Sequence, residues 1–192
     1  MSGSSGVRRS ARRGGGPAPD HFTTERLEYR RPAAADAELI FARYASDPEV
    51  TRYLAWPRHT SLYDTRIFLD FSDAEWRNWS CGPYVIFART GGGLIGSTGI
   101  SFDSSDVAST GYVLARDAWG LGYATEALGA MRDLAPSLGI RRLYAICHVE
   151  HTASKRVMEK CGFRHEGVLR RHLVFPNISP DRQDVLCYAL EF

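Results

Sequence analysis

Apolar and polar positions follow two different rhythms along this chain, and the changes of rhythm divide it into elements. Leu27-Glu28-Tyr29-Arg30-Arg31 alternates with the period of a half-buried strand, and Pro32 ends it. Residues 34–44 switch to helical spacing. Asp47-Pro48 sets a capping acid before a proline at the first helical position, which predicts a short turn through Tyr53, and Ser61 caps a second helix over residues 62–79. Phe68, Leu69 and Trp76 give that helix an aromatic face of the kind that lines a core or a groove. Two β-branched and aromatic runs, 83–89 and 94–102, flank Thr90-Gly91-Gly92-Gly93, a hairpin turn whose glycines are structural because a strand, not a helix, follows them. Gly111-Tyr112-Val113-Leu114 is a further short strand, closed by Arg116-Asp117-Ala118. Ala124, Ala127, Leu128, Met131, Leu134 and Ala135 then share one helical face, with Glu126, Arg132 and Asp133 on the polar side. A strand over 142–148 and a helix over 152–160 follow, with Gly162 as left-handed cap and Phe163 folded back on the last turn. Strands over 168–175 and 184–190 close the chain, joined by Pro176-Asn177-Ile178-Ser179-Pro180. The order is β, α, α, β, β, β, α, β, α, β, β, an α/β (α+β) arrangement with about seven strands.

Residues 1–20 keep neither rhythm. They are Gly, Ser, Pro and Ala with Arg8, Arg9, Arg12 and Arg13, too poor in apolar groups to pack, and are expected to be a disordered basic tail; Met1-Ser2-Gly3-Ser4-Ser5-Gly6 has the composition of a linker added for expression. Residues 21–192 are expected to be one domain. The tail carries the excess charge: the chain has 24 Lys and Arg against 22 Asp and Glu, and without the four tail arginines and Asp20 the balance is 20 against 21. A body of that charge is not built for nucleic acid, so a basic-tailed nucleic-acid binder would rest on the tail alone. No apolar run is long enough to cross a bilayer and no signal segment opens the chain, which points to the cytoplasm. Cys81, Cys147, Cys161 and Cys187 are far apart, which predicts reduced, mostly buried thiols, and Cys147-His148 with His151 is too thin a donor set to predict a metal.

The candidate chemistry lies between the strand at Leu114 and the helix after it. In Trp119-Gly120-Leu121-Gly122-Tyr123-Ala124-Thr125-Glu126-Ala127 the small residues allow backbone N–H groups to close around phosphate oxygens at a helix N-terminus, where the macrodipole carries about half a positive charge. Two familiar phosphate loops are excluded. A P-loop needs Lys and Ser or Thr where Tyr123-Ala124 stand, and a dinucleotide fingerprint needs a third small residue where Thr125 stands and an acid about twenty positions on, where the chain reads Arg141-Arg142-Leu143.

The element order with this segment resembles the GNAT superfamily of acyl-CoA-dependent N-acyltransferases. Thr24-Glu25-Arg26-Leu27 with Arg30-Arg31-Pro32, and Asp47-Pro48-Glu49-Val50-Thr51, resemble the opening of its branch of ribosomal-protein N-terminal alanine acetyltransferases; the glycine segment is similar to that branch's acetyl-CoA loop, and the stretch from Ala153-Ser154 through Arg156-Val157, Glu159-Lys160 and Gly162-Phe163 to its second signature. The resemblance covers residues 22–192 and implies a mixed, mostly antiparallel sheet with helices on both faces, its fourth and fifth strands splayed, here ending near Leu114 and His148.

It implies acetyl-CoA as acyl donor, bound by Tyr112, Val113, Leu114, Trp119, Gly120, Leu121, Gly122, Tyr123, Ala124, Thr125, His151 and Ser154, and a primary amine as acceptor. The pyrophosphate would meet the N–H groups from Trp119 to Ala124, the pantetheine arm would pair with the strand edge at Tyr112 to Leu114, and an N–H around Val113 would steady the oxyanion. Ser154 matches the acid that protonates the departing thiolate, or is a helix-start serine bonded to its own backbone. The branch's usual glutamate base is replaced by Ser109. His172 is the named substitute, with Asp103, Asp106, Glu150 or a water chain as alternatives. Two departures stand out: Trp119 occupies a position that is usually Gln or Arg in the wider superfamily, and His151 stands where Asn is frequent, either meeting CoA or lying on the loop surface. The missing base leaves a second reading open, a CoA-binding regulatory or interaction module. The acceptor's identity and the choice between monomer and homodimer are not encoded in these motifs. The loops at 53–60, 103–108 and 174–180 would shape the acceptor pocket.

Overall fold

In the computed structural model, which describes residues 15–192, eight strands form one sheet: β1 (His21–Thr23), β2 (Leu27–Arg30), β3 (Pro83–Ala88), β4 (Leu94–Phe102), β5 (Val107–Leu114), β6 (Arg142–His148), β7 (Arg164–Phe175) and β8 (Ser179–Glu191), in the order β1-β2-β3-β4-β5-β6-β8-β7. Alternation along a strand sends successive side chains to opposite faces, so Tyr84 and Ile86 join one core and Val85 the other. The larger core holds α4 (Tyr123–Leu134) and α5 (Thr152–Lys160) through Leu128, Met131 and Met158. The smaller holds α1 (Ala37–Ile40) and α2 (Pro48–Thr51) through Ile40 and Val50. α3 (Leu62–Trp79), capped by Ser61 as its sequence predicts, gives Leu69 to the smaller core and Trp76 to the larger.

All neighbouring strands are antiparallel except β5 and β6. That parallel pair is joined only at Val107↔Arg142, Ala108↔Leu143 and Ser109↔Tyr144. Beyond it β5 stays on β4 to Gly96↔Leu114 while β6 follows β8 to His148↔Val185. The sheet therefore opens into a V between the ends of β5 and β6, the splay expected of the fourth and fifth predicted strands.

Five expectations are corrected. The tail does not extend through Asp20: residues 1–14 lie outside the described residues, but Gly16 N–H donates to Ser137 O, Ala18 N–H donates to Ser80 O with its side chain buried, and Pro19 O accepts the Tyr84 hydroxyl. β1 is an eighth strand, too short for periodicity to reveal, held by Phe22 stacked on Tyr29 at 4.4 Å. β5 begins at Val107, taking up the end of the expected 103–108 loop, because its small polar residues hide the alternation. β7 and β8 are longer than expected; the exposed polar start of β7 carries no apolar signature, and only Pro176, Asn177 and Ile178 remain as the turn. The helical run at 34–44 also breaks into a 3-10 turn, α1 and a π turn over Phe41–Ala45, where Ser46 N–H and hydroxyl both bond Phe41 O.

Candidate active site

The glycine segment has the geometry that only glycine accepts without strain. Gly120 and Gly122 have φ of 74° and 81°, and Gly122 is the N-cap of α4. The approach to it is fixed from the other core: Arg116 bonds Asp47 and Glu49, each at 2.9 Å, and Arg43 bonds Asp117 at 2.8 Å. Asp47 also caps α2 through Glu49 and Val50 N–H, so the Asp47-Pro48-Glu49 motif supports the segment from below.

A second support was hidden in the sequence. The Glu126 carboxylate, expected on a solvated helix face, accepts from the Thr24 hydroxyl at 2.6 Å, Arg26 N–H at 2.8 Å and Arg26 Nε at 2.7 Å. Arg26 then donates to Leu121 O at 2.8 Å and lies over the Tyr123 ring at 4.7 Å. Burial pushes the Glu126 pKa up, but the bonds from Thr24 and Arg26 outweigh it and hold the carboxyl below its ordinary value. The signal was the Thr24-Glu25-Arg26-Leu27 motif itself, whose polar residues had no stated partner across a separation of one hundred residues.

Counting donors shows what this frame presents. Among the described residues, no protein acceptor takes the N–H of Gly120, Leu121, Gly122, Tyr123, Ala124 or Thr125. The Trp119 N–H is not part of that set, because it donates to Arg116 O at 3.1 Å, and its indole donates to Leu114 O at 2.8 Å. Along β5, Ala115 N–H donates to Ile95 O, and the unbroken register to β4 makes Val113 face Ser97 in the next bonded pair. The Val113 N–H is thus spent inside the sheet and is not free for an oxyanion. Tyr112 and Leu114 turn their N–H groups to the opening.

The walls of the V differ. On the α5 side, Ser154 is half-buried and its hydroxyl interacts with both the Tyr112 phenol from β5 and the Cys147 thiol from β6. Burial pushes that phenol up to about 12 and that thiol up to about 11, with Ser154 opposing both shifts. Ser154 therefore lies beside both splayed strands. On the other face a line of rings runs from β7 to the loop after α2: Phe175 edge-on to His148 at 5.0 Å, His148 beside Tyr53 at 5.2 Å, and Tyr53 stacked on His151 at 4.7 Å. His148 is buried and its Nδ1 accepts Glu150 N–H. His151 is neither on the loop surface nor open on both faces, since Tyr53 covers one of them.

Burial, then the neighbouring His148, lowers the His151 pKa below its ordinary 6.5. An imidazole held neutral in the fold binds fewer protons than in the unfolded chain, so its contribution is complete above about pH 6.5 and is lost as pH falls toward the lowered value. His59, lowered chiefly by burial, adds in the same direction. Urea midpoints at about pH 7.5 and pH 5.5 are expected to fall with acidity, and the fall is expected to be smaller in His151→Gln.

The candidate bases are spread over two turns and a bulge of β7. His172 is exposed in the irregular stretch of β7 between Leu169 and Leu173, where Arg171 has a φ of 46°. Asp103 and Asp106 flank the turn before the joined end of β5 and β6, away from the opening, with Asp103 beside the Tyr144 phenol. Glu150 is exposed in the turn before α5. Among the described residues no cluster of three His, Cys, Asp or Glu could hold a metal, none of the four buried cysteines is in a disulfide, and no helix is long and apolar enough to cross a membrane. Phe163 is buried and its N–H returns to Met158 O, the expected helix end. An open groove of 670 Å³ starts at Arg26 and Gly122 and runs along α4 to Lys160, adjoining the glycine segment without including the residues of the V.

Comparison with known proteins agrees with this geometry. A family model described as "Acetyltransferase (GNAT) domain" matches residues 26–164. The uncharacterized N-acetyltransferase p20 of Bacillus licheniformis is 30% identical over 150 residues, covering 77% of this chain and 84% of that protein. The crystal structure of a GNAT-family acetyltransferase from Bacillus anthracis superposes with a TM-score of 0.77 at 26% identity, covering 89% of this chain and 98% of that one. RimL, a ribosomal L7/L12 alpha-N-protein acetyltransferase solved with coenzyme A, has the same fold, with a TM-score of 0.77, 23% identity and coverage of 88% and 96%.

Proposed function

Since this chain belongs to the GNAT acetyltransferase family, we propose that it is an acetyl-CoA-dependent N-acetyltransferase whose acceptor is a primary amine of a peptide or protein N-terminus or of a small molecule. The observation that carries the proposal is the V between β5 and β6, with unpartnered N–H groups at the start of α4 at its mouth. The N–H groups from Gly120 to Ala124 suit a pyrophosphate, and the clamp of Arg26 and Glu126 holds them in place. Tyr112 and Leu114 offer edge N–H groups to the pantetheine amides and to a developing oxyanion. The amine approaches from the side of Tyr53 and His148, attacks the thioester carbonyl and forms the amide as the C–S bond breaks. Ser154 gives its proton to the departing sulfur and is reprotonated, through water, by the proton that the amine loses.

Titration calorimetry with acetyl-CoA is expected to give one molecule bound per protomer. Gly122→Ala is expected to weaken it roughly tenfold, because an L side chain at a φ of 81° is strained by about 1–2 kcal/mol and its Cβ would sit 3.3 Å from Arg26 Nη2. Absence of binding by the unaltered protein would reject the proposal. Ser154→Ala is expected to lower kcat by about 10²-fold while the KM for acetyl-CoA stays within about threefold, since the hydroxyl acts on the leaving group.

A CoA-binding regulatory module is the second reading, favoured by one observation: His172 and Glu150 are exposed, and Asp103 and Asp106 sit at the joined end of β5 and β6. Acetyl transfer to any amine in a screen of peptides and small amines excludes it.

A further inference from the structure

We propose that Asn177 is a positioning residue for the amine acceptor, a role that rests on the acyl-transfer reading above. Asn177 sits in the three-residue turn between β7 and β8, yet its side chain is fully engaged with a distant segment. Its Nδ2 donates to Thr51 O at 2.7 Å and to Trp56 O at 2.9 Å, and its Oδ1 accepts Arg58 N–H at 2.8 Å. These bonds cross more than one hundred residues of sequence and satisfy both amide donors and the carbonyl.

The segment they grip has few backbone ties of its own. After α2 ends at Thr51 the chain has no regular element until Leu62, and its own backbone ties are Leu54 N–H to Thr51 O and His59 N–H to Ala45 O. Tyr53 and Trp56 stand in this segment, while the β7–β8 turn carries Phe175 at its base, 2% exposed and edge-on to His148. One line of contact between the two loops therefore runs through rings, Phe175 to His148 to Tyr53. The other runs through the amide of Asn177. Two of the three loops that sequence assigned to the acceptor pocket, 53–60 and 174–180, are in this way one rigid wall on the acceptor side of the V. Asn177 touches neither the glycine segment nor Ser154, so its effect falls on the acceptor alone.

The test uses the full chain with acetyl-CoA and the best acceptor from a panel of peptides with free α-amines. Asn177→Ala is expected to raise the KM for the amine roughly tenfold, as expected when hydrogen bonds that shape a site are lost, while acetyl-CoA affinity by calorimetry changes less than about twofold. Asn177→Asp, which keeps the acceptor for Arg58 N–H but turns an anion toward two carbonyls, is expected to raise it at least as far. Hydrogen-exchange mass spectrometry is expected to show faster exchange in both variants over residues 52–60 and unchanged exchange over residues 119–127. Equal loss of acetyl-CoA and amine binding, or an unchanged amine KM, would overturn the positioning role. Failure of the unaltered protein to acetylate any amine would instead overturn the acyl-transfer reading, and the acceptor assignment with it, while the exchange data would still report on the clamp.

Discussion

Glu126→Ala is expected to lower acetyl-CoA affinity by about a hundredfold and stability by about 2–3 kcal/mol, although residue 126 need not touch the ligand. The carboxylate accepts three hydrogen bonds from Thr24 and Arg26, at 2.6 to 2.8 Å, and its side chain is only 15% exposed. Bonds to a charged group contribute about 1.5–3 kcal/mol, and removing one partner of a buried set strands the others. Arg26 would lose the anion that aims it at Leu121 O, and the turn bearing Gly120 and Gly122 would lose its outer support. Glu126→Gln keeps an acceptor and is expected to fall between the two. The linkage has a definite sign. A carboxyl held below its ordinary pKa stabilises the fold above that value and loses the contribution as pH falls through the lowered one. Chemical denaturation in acid is therefore expected to separate wild type from Glu126→Gln less than denaturation at neutral pH does. Equal acetyl-CoA affinity in wild type and Glu126→Ala would show that the glycine segment holds its shape without the clamp.

Hydrophobic rhythm located the elements that are buried on one face, because burial is what writes a period into sequence. It missed those whose order comes from neighbours. β1 has three residues and exists because β2 is beside it; the first half of β7 is an exposed edge with no apolar face; and residues 15–20 look like tail by composition but are fastened by backbone bonds to Ser80 and Ser137. The same divide runs through the site. The glycine segment was legible since a left-handed backbone at two positions demands a residue type. Its supports were not, because Glu126 on a helix face and Thr24 and Arg26 before a strand are common in any sequence, and only the fold makes them one hydrogen-bonded group. Asn177 is the extreme case, a turn residue by type whose partners lie on the other side of the chain. The base reverses the pattern: sequence could name His172 because imidazole is a common general base, while its exposure in a bulge is a property of strand register.

Register also yields the sharpest expectation. Leu114→Pro and Val113→Pro remove N–H groups from adjacent residues, but alternation along β5 points one to the opening and the other into the ladder with β4. Val113→Pro deletes a bond within the sheet and is expected to act first on stability, by about 3 kcal/mol, as a proline does within regular structure. Leu114→Pro leaves that ladder intact and keeps the carbonyl that accepts the Trp119 indole. On the proposed function it removes a donor to the thioester oxyanion, so kcat is expected to fall by about 10²–10³-fold, the range for loss of one preorganised oxyanion donor. Leu114 is 4% exposed, so part of any effect comes from lost packing. Leu114→Ala supplies the control: it removes at least as much apolar bulk while keeping the N–H, and is expected to lose stability by about 2–4 kcal/mol but to retain kcat once folded. Single-turnover rates of the three variants, measured where each is folded, decide the matter. If Val113→Pro loses the chemical step and Leu114→Pro keeps it, the donor is on the other parity of the strand and the role proposed for the Leu114 N–H fails.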